Sequence, residues 1–158
     1  MIYMLPYPST DQITHSRYIR IDKWVSMKVY PQHYANWESD IAIAPLRDNH
    51  FNRAKSNLRW LESSALKLPM VASKIYPFEH SIKNGKTGIL VSNSEQEWYD
   101  ALKSLILDAS KRKTIGETAY NEVKKNYSMD NVAKTYLSIL KTIKGNFLKQ
   151  KEISHEPR

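Results

Sequence analysis

The residues with the most chemistry to offer lie between Asn52 and Glu62, inside FNRAKSNLRWLESSAL, residues 51–66. Leu58, Leu61, Ala65 and Leu66 recur there at the three- and four-residue spacing of an amphipathic helix. Ser56 is a good N-cap for that helix, because its hydroxyl can accept a bond from a free first-turn amide. The same helix end carries partial positive charge and unpaired N–H groups, so it welcomes an anion. Glu62 falls on the apolar stripe, one turn after Leu58 and one turn before Leu66. A carboxylate there must be paired or must face a polar cavity. Ser56 and Glu62 stand about 9 Å apart along the axis, at about 1.5 Å of rise per residue. N–H groups for phosphate and a carboxylate for ribose hydroxyls are the pair a nucleoside diphosphate requires. The structural alternative is that Glu62 pairs with Arg59, three residues earlier, or with a lysine from elsewhere.

Other segments must position this helix. Asp40 opens IAIAPL, and residues 41–44 are apolar without alternation, as expected of a parallel strand covered on both faces. Pro45 ends it, and LRDNHFNRAK leads into the helix. MVAS (70–73) and ILV (89–91) read as second and third buried strands. Between them Pro77 can open a short helix to about Lys83, ended by Asn84-Gly85. Strand, helix, strand, helix, strand gives parallel neighbours with right-handed crossovers. Ligands of such sheets bind beyond the carboxyl ends of the strands. The loop 45–55, the start of the Ser56 helix and the turns after Ser73 and Val91 lie at that edge. The expected fold is α/β: a Rossmann-like parallel sheet flanked by helices, finished by a helical carboxyl-terminal segment.

The flanks read as follows. Pro6, Pro8, Ser9, Thr10 and Asp11 favour irregular backbone. YIRI (18–21) and VSMKVY (25–30) alternate and are strand candidates, the second stopped by Pro31. QHYANWES (32–39) reads as a short helix with Tyr34 and Trp37 on one side. Ser94 to Glu97 forms a capping box, followed by Trp98, Ala101, Leu102, Leu105 and Ile106 at helical spacing. A second helix is expected over 111–125, with Ile115, Ala119 and Val123 inward. A third follows Ser128, with Val132, Tyr136, Ile139, Leu140 and Ile143 on one face. From Lys149 the tail is polar and expected to fray.

With 158 residues and 41% hydrophobic content, the chain suits one domain with a real core. It has no cysteine, so disulfides and thiolate metal sites are excluded and a reducing, cytoplasmic setting is favoured. No run approaches the roughly 20 apolar residues of a membrane span. The start, MIYMLPYPSTDQ, lacks the basic region of a signal peptide. A net charge of +8 permits nucleic acid, anionic lipid or phosphate-bearing partners. The lysines are dispersed and do not interleave with aromatics as in RNA-binding sheets, so no specific nucleic acid is expected. Contact with the inner face of a membrane through the basic surface stays open. His15, His33, His50, His80 and His155 have no metal-ligand spacing, and no metal or cofactor is expected. Walker, G-x-G-x-x-G, H-E-x-x-H and G-x-S-x-G motifs are absent. The strands end in Pro45, Ser73 and Ser92, not in the aspartate of a phosphoacceptor domain.

DIAIAPL, FN-x-x-KSNLRWLE, LPMVAS and NGKTGILV occur in an order, and with gaps, that resemble the carboxyl-terminal half of retaining group-1 glycosyltransferases of the GT-B fold. The resemblance covers residues 31–143. It implies that Glu62 matches the second glutamate of the family's Glu…Glu pair, which bonds the nucleotide ribose. It places Ser56 and Asn57 at the helix start near the donor diphosphate, with Lys55 as an added phosphate contact and Asn52 in the loop beside them. The first glutamate would fall on Ala54 and is missing, as is the E-G-F-G loop. The implied division is a remnant or partial strands over 1–30, a donor-nucleotide-binding domain over 31–148 and a polar tail over 149–158. The implied partner is a nucleotide-diphosphate sugar, used with a glycan or related acceptor. The opposite wall of the site would come from an amino-terminal domain or chain, for which residues 1–30 are too few. Catalytic residues stay unassigned. The alternatives are a non-catalytic nucleotide-binding or interaction module and, on charge alone, a basic nucleic-acid-binding domain.

Overall fold

In the computed structural model the described residues are 2–4, 18–20 and 25–153, with side chains described over 25–145. The expected irregular backbone at 6–11 lies outside them. Two short strands, β1 (Ile2–Met4) and β2 (Tyr18–Arg20), pair in parallel as a sheet of their own. A second sheet holds β3 (Ala42–Ala44), β4 (Met70–Ser73) and β5 (Ile89–Val91) in the order β3-β4-β5, all parallel. Ala42 stands opposite Met70, and Val71 opposite Ile89. These are the three apolar runs read from the sequence, paired as expected.

All four residues of central strand β4 are buried, as a strand covered on both faces requires. Edge strand β3 differs from expectation: Ala42 and Ala44 are buried, but Ile43 between them is 38% exposed. The strand expected over 25–30 is not formed. Residues 27–29 turn, and α1 (Tyr30–Ala35) begins in their place. Pro31 explains the change, since in a first helical turn its missing N–H costs nothing and its fixed φ suits the helix. The helix therefore starts two residues earlier than its polar pattern indicates and is over by Ala35.

After β3 come α2 (His50–Arg53) and α3 (Leu58–Ala65), and after β4 comes α4 (Phe78–Ser81). Helix α3 packs against β4, on a face the spacing of its leucines does not mark. Trp60, Ser63 and Ser64 are buried, whereas Leu58 is 52% exposed. Trp60 is 1% exposed and donates its indole N–H to the Thr87 carbonyl at 2.8 Å. The two serines are small enough to let the helix backbone approach the sheet. Glu62 consequently lies beside the core, not in it.

Helix α5 (Glu95–Leu107) covers β4 and β5. Val71, Val91, Ala101, Leu105 and Ile115 form a buried cluster, joined by Ile41, Ile89, Trp98 and Leu102. Ser94 caps α5 by accepting the Glu97 N–H at 3.3 Å. The other half of the expected capping box is displaced: the Glu97 carboxylate accepts from the Ser92 N–H and hydroxyl, both at 2.6 Å. Helix α6 (Ala109–Asn126) brings Ile115, Gly116 and Ala119 inward. Its Gly116 abuts the Lys67 carbonyl in the turn after α3.

The chain divides into two compact units, Met1–Tyr120 and Asn121–Arg158. The second holds α7 (Met129–Ile153), whose described residues run past Lys149. Tyr136, Ile139, Leu140 and Ile143, read as one apolar face, are all exposed.

Candidate functional site

The carboxyl ends of β3, β4 and β5 share one edge of the sheet, where α2 and α3 also begin. The loop leaving β3 is tightly held. Leu46 N–H donates to the Ser73 hydroxyl at 2.8 Å, and the Asn93 amide donates to the Leu46 carbonyl at 2.8 Å. Asn49 caps α2, accepting the Asn52 N–H at 2.8 Å, and the Asn52 side chain donates back to the Arg47 carbonyl at 2.8 Å. Asn52 is buried, so its amide braces the loop from within. Asp48 and Arg53 form an exposed ion pair, 2.5 Å from Oδ1 to Nε, which holds the Asp48 carboxyl below its ordinary range.

Lys55 is exposed, with its ammonium 4.9 Å from the centre of the Phe51 ring. Ser56 is also exposed, but it does not cap α3. The N-cap is Asn57, one residue later, and it makes no side-chain cap bond. Its amide donates instead to the Ser81 hydroxyl at 2.9 Å, and Ser81 donates to the Pro77 carbonyl. The Asn57 side chain thus does not cap the first-turn amides of α3. This is the condition under which a helix start accepts an anion.

Glu62 faces α1. The Tyr30 hydroxyl donates to its Oε2 at 3.3 Å and accepts from Arg59 Nη1 at 2.9 Å. Arg59 Nη1 itself lies 3.6 Å from the same Oε2. Both contacts use one carboxylate oxygen, leaving Oε1 outside them, and the side chain is 21% exposed. The predicted pairing with Arg59 therefore exists, and among the described residues it leaves Oε1 available. Tyr30 stacks on Tyr34 with centroids 6.1 Å apart, and Trp37 meets Tyr34 edge-on at 5.1 Å. Burial, first of all, raises the Tyr30 pKa and pushes Tyr34 up to about 12.

Asn52, Lys55, Ser56, Asn57 and Glu62 thus lie along one continuous α2–α3 segment. Tyr30, Ser73, Ser81 and Asn93 join them from distant parts of the chain. No spacing rule links those four to the segment, and the one visible hint was a polar residue, Ser73, ending an apolar run. His50 is exposed at the start of α2, and His80 packs edge-on against Tyr76 at 5.1 Å. Among the described residues no group of three or more His, Cys, Asp or Glu could hold a metal ion. No helix among them is long and apolar enough to cross a membrane.

Residues 20–122 match the family model of the glycosyl transferases group 1. The chain belongs to this family. Every residue of the site, from Tyr30 to Asn93, lies inside the matched span of this group 1 chain. It is 32% identical over 106 residues to a D-inositol 3-phosphate glycosyltransferase of Corynebacterium urealyticum, covering 66% of this chain and 24% of that protein. It is 34% identical over 82 residues to the protein of the same name from Corynebacterium aurimucosum, covering 51% of this chain and 18% of that one. Its fold is similar to the crystal structure of the C-terminal domain of a glycosyl transferase group 1 family protein, LpcC, from Francisella tularensis. That match has a TM-score of 0.57 and 26% identity, and covers 70% of this chain and 53% of the other. The α/β fold with its parallel sheet is therefore that of a group 1 carboxyl-terminal domain, and the matches span at most 24% of the two curated relatives' length.

Proposed function

We propose that this chain is the donor-nucleotide side of a sugar-nucleotide-dependent glycosyl transfer. Glu62 takes ribose hydroxyls of a nucleoside diphosphate sugar through Oε1. The start of α3 at Ser56 and Asn57 takes the diphosphate, with Lys55 as a further cation and the loop braced by Asn52 beside it. The observation that carries the reading is the half-used carboxylate: Tyr30 and Arg59 hold Oε2 of Glu62, on a helix whose N-cap residue, Asn57, turns its side chain to Ser81 and makes no cap bond. A carboxylate anchored by one oxygen offers the other in a fixed direction, so little ordering remains for binding. In the transfer step the leaving diphosphate develops charge, and N–H groups aimed at it would stabilise that charge.

Ala54 favours a second reading, a nucleotide-binding module that does not transfer sugar. It stands where the family's first glutamate would fall, and the structure makes it the C-cap of α2. Group transfer also requires an acceptor oriented against the donor, and the described residues offer one wall of such a site.

Calorimetric titration with UDP, GDP and a short DNA duplex tests the proposal. One of the two nucleotides is expected to bind in the micromolar-to-millimolar range. Glu62→Gln should then weaken binding by about 1–3 kcal/mol, the range for losing a hydrogen bond to a charged group. Unchanged affinity would remove Glu62 from the site. Binding to DNA alone, with a steep salt slope, would overturn the proposal in favour of a basic nucleic-acid-binding domain. A product assay with several nucleotide sugars and an acceptor library separates the first two readings. We expect binding without turnover from this chain alone, and transfer above the uncatalysed background would refute the second reading.

A further inference from the structure

Three strand ends are tied together at the ligand edge by one hydroxyl and one amide. Ser73, the last residue of β4, is 0% exposed. Its hydroxyl accepts the Leu46 N–H at 2.8 Å and donates to Asn93 Oδ1 at 2.7 Å. The Asn93 amide then donates to the Leu46 carbonyl at 2.8 Å. Both backbone polar groups of Leu46 are therefore satisfied from outside its own loop. The next residue is held as well, since the Arg47 carbonyl accepts from the Asn52 side chain. The turn between β3 and α2 thus has consecutive residues bonded, although it lies at the sheet edge where such folds bind ligands. A solvent-exposed loop serving only as a connection has no need of a buried hydroxyl at its root.

The geometry points to Ser73 and Asn93 as positioning residues for the donor site. They hold Leu46 and Arg47 against the strand ends, so that the loop's backbone and the Arg47 side chain meet the diphosphate of a bound nucleoside diphosphate in one fixed arrangement. The ordering of the loop is then completed on folding and does not weaken binding. This inference rests on the donor-nucleotide reading above.

Two variants test it: Asn93→Ala, at an exposed position whose truncation leaves the core filled, and Ser73→Ala. Each is titrated by NMR with UDP, GDP, uridine and guanosine, a method that reaches millimolar affinities. Amide exchange at Leu46 and the thermal midpoint are measured alongside. Affinity for the diphosphate that binds should fall about fivefold or more in both variants, the fold-change of an ordinary hydrogen bond. Affinity for the matching nucleoside should not change, the Leu46 amide should exchange faster in Ser73→Ala, and Asn93→Ala, which takes the acceptor from the Ser73 hydroxyl, should melt slightly below the unsubstituted chain. A purely structural role would lower the melting temperature without separating diphosphate from nucleoside. Equal losses for both ligands, or no loss for either, would overturn the inference and leave the donor-nucleotide reading intact. Failure of the unsubstituted chain to bind any of the four ligands would overturn both.

Discussion

Gly116→Ala sets helix propensity against packing, and the structure says which should win. Gly116 lies within α6, where alanine is intrinsically better than glycine by about 0.8–1.0 kcal/mol. A Cβ on Gly116 would stand 1.9 Å from the Lys67 carbonyl oxygen and 2.8 Å from its carbonyl carbon. Even close C···O contacts rest near 3.3 Å, so the two backbones must separate by more than 1 Å. The Lys67 turn resists this. Lys67 already has a φ of 57°. The amides of Leu66, Lys67 and Leu68 are bonded back to Ser63 and Ser64. Pro69, whose carbonyl accepts the Ala42 N–H at 2.9 Å, follows at once. Moving the turn therefore disturbs both the end of α3 and the entry to β4. Overpacking of this kind costs about 1–3 kcal/mol, occasionally more. A contact of 1.9 Å to backbone belongs at the upper end of that range, about 2–3 kcal/mol, and subtracting the propensity gain leaves a net loss of about 1–2 kcal/mol. For a chain of this size that lowers the melting temperature by about 2–8 °C. Gly145 in α7 is the control, because nothing lies within 4 Å of its added Cβ and only propensity operates there. The assay is thermal and urea unfolding of the parent, Gly116→Ala and Gly145→Ala. The first variant should fall and the second should hold or rise. A Gly116→Ala protein as stable as the parent would refute the close approach of α6 to Lys67.

Ser64 is buried in α3 and its hydroxyl has no hydrogen-bond partner among the described residues, so Ser64→Ala should leave stability unchanged or raise it by about 1 kcal/mol; a loss of that size in urea unfolding would count against the burial of this face. Tyr34 titrates at about 12 against an ordinary 10.0, chiefly through burial. Its pKa is raised in the folded state, so the associated stability is intact below pH 10 and is lost as pH rises toward 12. Tyr34→Phe should flatten that alkaline decline in urea midpoints, and an unchanged slope would contradict it. The Ser92 hydroxyl and N–H hold the exposed Glu97 carboxyl below its ordinary 4.5. Its contribution is present above that value and disappears as pH falls through the lowered one. Glu97→Gln should therefore lower the urea midpoint at neutral and alkaline pH and leave it unchanged at the acid limit, so that the acid decline flattens.

The parallel sheet was legible because its signals are local. Each strand is a short apolar run bounded by Pro45, Pro69, Gly88 or a terminal serine, and a run buried on both faces needs no alternation. The cap of α5 was legible for the same reason, as Ser94 and Glu97 are three residues apart. The face of α3 was not. Leu58 and Leu61 mark one stripe, yet Trp60, Ser63 and Ser64 are the residues that reach the core. Trp60 gains a partner at Thr87, 27 residues away, and the serines win by being small, which spacing does not record. The 25–30 segment alternates like a strand, but Pro31 lets a helix begin at Tyr30, and that helix supplies the hydroxyl at Glu62. Residue types alone could place a carboxylate and a helix start on one segment. Which oxygen of Glu62 is held, why the Asn57 side chain does not cap the helix start, and how Ser73 and Asn93 fix the loop all depend on contacts between residues 20 to 47 positions apart. Such contacts form only once the sheet has brought its strand ends together, because hydrogen bonds act over about 3 Å and sequence distance carries no record of that proximity.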